Sequence, residues 1–172
     1  TQLSGIAESD QEEIRLMNAI AANINSQPMN FGIQPGAFVD NGGNLVQWNE
    51  ILDVFSKNYA DIPVVQVMGN HEYYGDLSGG NASSLWTLPD KLYYSVEYGD
   101  VYVAVINFAA NLEDACQWLI QDAAKSSCTW KVLAVHQPAY YTNPNGSSEA
   151  FNRYIPAAAE LSLIHISEPT RP

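Results

Sequence analysis

The sequence predicts an α/β layered fold carrying one antiparallel hairpin. Three observations lead there. Segments with apolar residues at helical spacing alternate with short β-branched runs. Two of those runs, PVVQVM at 63–68 and the one at 130–136, are nearly continuous in apolar residues, as strands covered on both faces are. A further pair, at 92–97 and 101–108, flanks Gly99-Asp100, a hairpin turn signal.

Each element has its own reason. Ile14, Met17, Ala21 and Ile24 give 9–25 a helical stripe, with Ser9 or Asp10 at the N-cap and Glu12 and Glu13 in the first turn. Residues 31–39 read as a short strand interrupted by Pro35-Gly36. A second helix, 44–59, turns Leu45, Trp48, Leu52 and Phe55 inward. After the strand at 63–68, residues 73–86 form a Gly- and Ser-rich loop of the kind that carries substrate contacts. The hairpin follows, then a helix over 112–125, the strand at 130–136, and a helix over 149–160 broken or bent at Pro156. There is no internal repeat.

A chain of 172 residues has room for one domain with a real core. With 47% apolar and 15% charged residues it is not a disordered chain. Its net charge of −12, with only seven Lys plus Arg, leaves no basic stripe, so nucleic acid is not an expected partner. An anionic substrate stays open, because bound cations reverse a local field. No apolar run is long enough to span a membrane. Localisation is not legible, although few lysines among many Asn, Ser and Tyr suit an exported protein. Cys116 and Cys128 bracket a helix and the turn after it, and either a disulfide or two free thiols fits that spacing.

The last twelve residues, 161–172 (LSLIHISEPTRP), depart from this pattern. They interrupt the helix begun at Glu149 and resemble translated adaptor or vector sequence, so the expected organisation is a partial domain over 1–160 and a non-native tail over 161–172.

With His165 set aside in that tail, the remaining histidines both lie just past strands: His71 after PVVQVMGN and His136 at the end of WKVLAVH. Open α/β sheets place their sites where strands deliver residues at their carboxyl ends. Imidazole with amide or carboxylate oxygens suits metals of the Zn, Mn or Fe type. In Asn70-His71-Glu72 the Asn oxygen suits a metal, and His71 suits general-acid work with Glu72 beside it. A turn capped by Asn70 with surface side chains is the competing reading, and spacing alone does not choose.

Four blocks in order do choose. Gly69-Asn70-His71-Glu72 resembles the Gly-Asn-His-Asp/Glu block of calcineurin-like metallophosphoesterases, and Val135-His136-Gln137-Pro138 resembles that family's strand ending in His followed by Pro. Residues 92–100 (LYYSVEYGD) resemble the hairpin of the purple-acid-phosphatase-like branch, and Gln117-Trp118-Leu119 partly matches a helix of that branch. The resemblance covers roughly residues 1–160. It implies a metallophosphoesterase-like β-sandwich, two sheets flanked by helices, here incomplete. It also implies two divalent or trivalent metal ions bridged by an aspartate and a phosphate-ester small molecule as substrate. By the same matching, Asn70, His136 and Gln2 are metal ligands, His71 is the acid that protonates the leaving group, and Glu72 orients His71. Asp40 takes the second acidic place of a Gly-Asp-x-x-Asp-x-Gly block, written here from Gly36 to Gly42, and Tyr73 and Tyr74, next along the chain, are candidates for lining the site.

Departures from the family pattern bear on activity. Ala37 stands where the family has its bridging aspartate, and a methyl group cannot hold two cations about 3.5–4 Å apart. Thr1-Gln2 resembles the end of an opening Asp-x-His/Gln block, and the closing Gly-His-x-His block is due near Glu160, where the tail starts. Weak metal binding, little turnover and an exposed edge on the second sheet are therefore expected. A binding or structural module that has abandoned catalysis is the alternative, and no partner protein is inferable. A Ser or Cys nucleophile hydrolase lacks its Gly-x-Ser-x-Gly elbow, and the phosphate-loop and dinucleotide fingerprints are absent. Tyr73, Tyr74, Trp86 and the segment 140–143 either wall a pocket or pack together as a lid.

Overall fold

A computed structural model describes residues 7–26, 28–90, 92–138, 149–160 and 164–167. The chain is mixed α/β with two small sheets flanked by helices, and it divides into two compact units, residues 1–88 and 89–172.

The first unit runs α1 (Ala7–Asn25), β1 (Gly32–Gln34), α2 (Leu45–Asn58), β2 (Val64–Gln66), a 3-10 turn (His71–Tyr73) and α3 (Gly80–Leu85). Helix α1 starts at Ala7, so Ser9 and Asp10 lie inside it and neither is the N-cap expected of them. Strands β1 and β2 pair in parallel, Ile33 opposite Val65, so both release their chain at the same end. Helix α2 is capped by Asn44, whose Oδ1 accepts from Val46 and Gln47 amides. Its inward stripe is Gln47, Trp48, Ile51 and Val54, with Phe55 partly buried. Leu45, expected inside, is exposed at the first turn, where the cap turns the chain outward. The core gathers Phe38, Val39, Trp48, Ile51, Met68, Tyr73 and Ala82, with Ile14 and Met17 of α1 packed against it.

The second unit runs β3 (Tyr93–Tyr98), β4 (Val101–Ile106), α4 (Leu112–Ala123), β5 (Trp130–Val135), α5 (Glu149–Ala159) and β6 (Ile164–Ser167). Its sheet is ordered β3-β4-β5-β6. The hairpin turns where expected: Tyr98 pairs with Val101 across Gly99, which is left-handed at φ +59°. Strands β4 and β5 are parallel, with α4 as the crossover, capped by Asn111. Tyr102, Ala104, Ile106, Leu133 and Val135 pack with Leu119 of α4 and Phe151 and Ile155 of α5 into one core. Pro156 sits inside α5 without ending it. The β5 edge expected to be open carries β6, a parallel partner with Val132 opposite Ile164. Residues 164–167 thus have a place in the sheet, because four extended residues are enough to satisfy an edge strand's free amide and carbonyl groups. Cys116 is buried and Cys128 half-buried, and both are free thiols.

Candidate functional site

After β2 the chain runs from Gln66 through buried Val67 and Met68 and delivers Gly69-Asn70 into the 3-10 turn. Strand β1 delivers the loop from Pro35 to Gly43 at the same end. Two backbone bonds tie the loops together: Gly42 donates to the His71 oxygen at 3.0 Å and Gly43 to the Tyr74 oxygen at 2.8 Å. Glycine is required here by contact, since a Cβ on Gly42 would stand 2.0 Å from the Glu72 carbonyl oxygen.

His71 Nδ1 lies 2.9 Å from the Asp40 backbone oxygen and 3.6 Å from the Asp40 carboxylate. A carbonyl oxygen only accepts, so Nδ1 carries the proton and Nε2 of the neutral ring is left as the basic nitrogen. On the other side the Tyr74 ring packs on the imidazole, centroids 4.6 Å apart, and the Tyr74 hydroxyl accepts from Asn70 Nδ2 at 2.8 Å. That bond occupies the Asn70 amide nitrogen, which turns its oxygen toward other partners. Asn70, His71, Asp40 and Tyr74 thus form one contiguous group.

Glu72 does something other than orient His71. It is 1% exposed, with its carboxylate turned away to accept three backbone N–H bonds. Ala37 donates to Oε2 at 3.0 Å, Phe38 to Oε1 at 2.7 Å and Gly69 to Oε2 at 2.7 Å. The group at His71 Nδ1 is Asp40. Tyr73, expected to line the site, is buried in the first unit's core with its hydroxyl 3.8 Å from the Met68 sulfur. Trp86 likewise packs inward on Phe38 and Phe55, at 5.1 and 4.9 Å, while Tyr74 stays 49% exposed. The loop at 73–86 also contains α3, whose start is fixed by Asp76 accepting from the Ser78 and Asn81 amides.

His136 follows β5 in the second unit and is half-buried. Gln2 and residues 140–143 lie outside the described residues. Ala37 is left-handed at φ +57°, next to Gly36 at φ +94°. That conformation costs a residue with a Cβ roughly 1–2 kcal/mol, and aspartate, asparagine and glycine tolerate it better.

The profile of the calcineurin-like phosphoesterase family matches residues 14–162, and the chain belongs to that family. Among solved structures, a purple acid phosphatase from yellow lupin (Lupinus luteus) seeds superposes with a TM-score of 0.72 at 14% identity, over 90% of this chain and 32% of that one. GAP50, titled the anchor in the inner membrane complex of Plasmodium, superposes with a TM-score of 0.60 at 19% identity, over 90% of this chain and 60% of that one. The chain therefore spans about a third of the lupin structure and less than two thirds of GAP50. No curated protein sequence matches significantly.

The family typically carries a dimetal centre. Among the described residues no group of three or more His, Cys, Asp or Glu is placed to hold a metal ion, so those residues do not by themselves fit such a centre. The Asn70–His71–Asp40 group supplies one amide oxygen, one basic nitrogen and one carboxylate, donors suited to proton transfer and, with further ligands, to a metal.

Proposed function

We propose that this chain carries part of a metal-dependent phosphate-ester hydrolase site, impaired at Ala37. The observation that supports it best is the group at the carboxyl end of β2, where Asp40 fixes His71 beside Asn70. In this reading His71, with Nε2 first protonated from solvent, passes that proton to the leaving oxygen and returns to the neutral ring, and Asn70, His136 and Gln2 stand at positions the family uses for its metals of the Mn, Fe or Zn type. The substrate is a phosphate-ester small molecule. Residues 163–172 lie beyond the family match, which ends at residue 162, although 164–167 pair with β5 as β6.

A second reading, an inactive binding or structural module, is favoured by Ala37 and by the likeness to GAP50, a protein described as an anchor. One pair of measurements separates the two. Metal analysis of the purified chain is expected to find less than one tightly held equivalent, and two would overturn the impairment. Hydrolysis of p-nitrophenyl phosphate with Mn is expected to rise on Ala37→Asp. Equal activity with either residue shows that position 37 is not the bridging position, and no activity with either favours the module.

A further inference from the structure

We infer that Glu72 is a positioning residue, an internal anion that fixes residue 37 relative to Asn70. The inference rests on the reading of position 37 and Asn70 as parts of one site, although the contact itself does not depend on catalysis.

Three backbone amides from two segments converge on one carboxylate. Ala37 and Phe38 come from the loop after β1, and Gly69 from the end of β2. Gly36 and Ala37 both have positive φ, so the turn aims the successive N–H groups of Ala37 and Phe38 at the same point, forming an anion-binding concavity. Glu72, three residues beyond Gly69, reaches back to fill it and is almost completely buried. Among the described residues no Lys or Arg pairs with it, and these amide dipoles face the carboxylate. A buried carboxylate is costly unless its oxygens are satisfied, and here both are. The same interaction holds Ala37 in a conformation that alanine disfavours. The segments so joined present residue 37 from one strand end and Asn70 from the other. Glu72 therefore sets their separation without touching the groups that would react.

The test begins with the unmodified chain. Hydrogen-bond scalar couplings between the Glu72 carboxylate carbon and the amide nitrogens of Ala37, Phe38 and Gly69 are expected by NMR, and their absence overturns the inference. In Glu72→Gln one oxygen becomes a donor, so at least one of the three amides faces an NH2 group. Hydrogen exchange at one or two of them is expected to accelerate at least tenfold, with Val103 and Val105 of β4 unchanged. Equal acceleration at all five sites, or none at the three, overturns it. The last arm separates the latch from the metal reading, using Mn2+ titration of Ala37→Asp with and without Glu72→Gln. A gain in affinity that falls at least tenfold without Glu72 supports the inference, and a gain of the same size in both backgrounds overturns it. If Ala37→Asp gains nothing while the couplings are present, the latch stands and the metal reading of position 37 fails.

Discussion

His71 holds its Nδ1 2.9 Å from the backbone oxygen of Asp40, with the Asp40 carboxylate only 3.6 Å away. Because the closer partner is a main-chain carbonyl, the tautomer is fixed by the loop and not by the acidic side chain. Nitrogen-15 NMR of the imidazole is expected to show Nδ1 protonated and Nε2 bare in the neutral ring. Asp40→Ala is expected to leave that pattern in place. A switch to the Nε2–H form in this variant would show that the carboxylate does the holding.

Ala37 carries backbone strain that a different residue would relieve. Gly gains the roughly 1–2 kcal/mol that the left-handed region costs alanine and gives back roughly 0.5–1 kcal/mol in unfolded-chain entropy. Ala37→Gly should therefore be level with the parent or up to about 1.5 kcal/mol more stable in urea titration. Ala37→Val, β-branched at positive φ, should lose at least about 1 kcal/mol. The backbone at this position thus suits aspartate or asparagine better than the alanine present.

Two glycines separate close approach from conformational need. A Cβ at Gly42 meets the Glu72 carbonyl oxygen at 2.0 Å, whereas one at Gly99 meets nothing within 4 Å. Gly42→Ala must pry two loops apart and break the Gly42–His71 backbone bond, at a cost of about 3 kcal/mol or more. Gly99→Ala pays only for φ +59°, roughly 1–2 kcal/mol. Thermal unfolding of the two variants should rank them in that order, and a milder Gly42→Ala would mean the loops are loosely joined.

The thiols should differ in the same way that their surroundings do. Burial pushes the Cys116 thiol up to about 11, so almost no thiolate is present near neutral pH. Cys128 is half-buried at the end of the turn, near the Gly99 oxygen. A disulfide-exchange reagent at pH 8 should label one thiol quickly in the native chain and the second only on unfolding. Cys128→Ser should remove the fast phase, whereas Cys116→Ser should keep it.

Periodicity and turn chemistry revealed most of the fold. The hairpin at Gly99-Asp100, the helices read over 44–59 and 112–125 and the run before Gly69 depend on local pattern, and the structure has all of them. Where the pattern misled, a longer-range contact decided. Leu45 has the right helical phase but sits where the Asn44 cap turns the chain outward. Tyr73 and Trp86 carry the polar tips of site-lining residues, but the core around Phe38 has room for both rings. Glu72 was legible as an acidic partner of its neighbour through resemblance, whereas two of its three backbone partners lie 34 and 35 residues away in a left-handed turn. A sequence signal existed in Gly36 and Gly42-Gly43, glycines spaced for a tight loop, but nothing in it says which anion the loop encloses. The β6 strand was missed because an unfilled sheet edge accepts an extended segment through its main chain, with little regard to sequence.

Asp122 on α4 ties the helix to the hairpin sheet, accepting from Ser95 at 2.6 Å and from Tyr102 at 3.0 Å, with Lys125 3.6 Å away. Burial by itself would raise this carboxyl. The two hydroxyl donors and the Lys125 charge outweigh it and hold the carboxyl below its ordinary value of 3.8. A group depressed on folding stabilises the fold above its unfolded value and loses that contribution as pH falls through its folded value. The second unit should therefore weaken below about pH 4. Tyr102, pushed upward by burial and by Asp122, stays a donor throughout, so no opposing loss occurs near neutral pH. Asp122→Asn should cost about 1–3 kcal/mol at pH 7 and flatten the acid limb of the stability profile. Urea midpoints measured from pH 7 to pH 3 by tryptophan fluorescence would read it. A variant whose acid limb stays as steep as the parent's would place the acid sensitivity on another carboxylate.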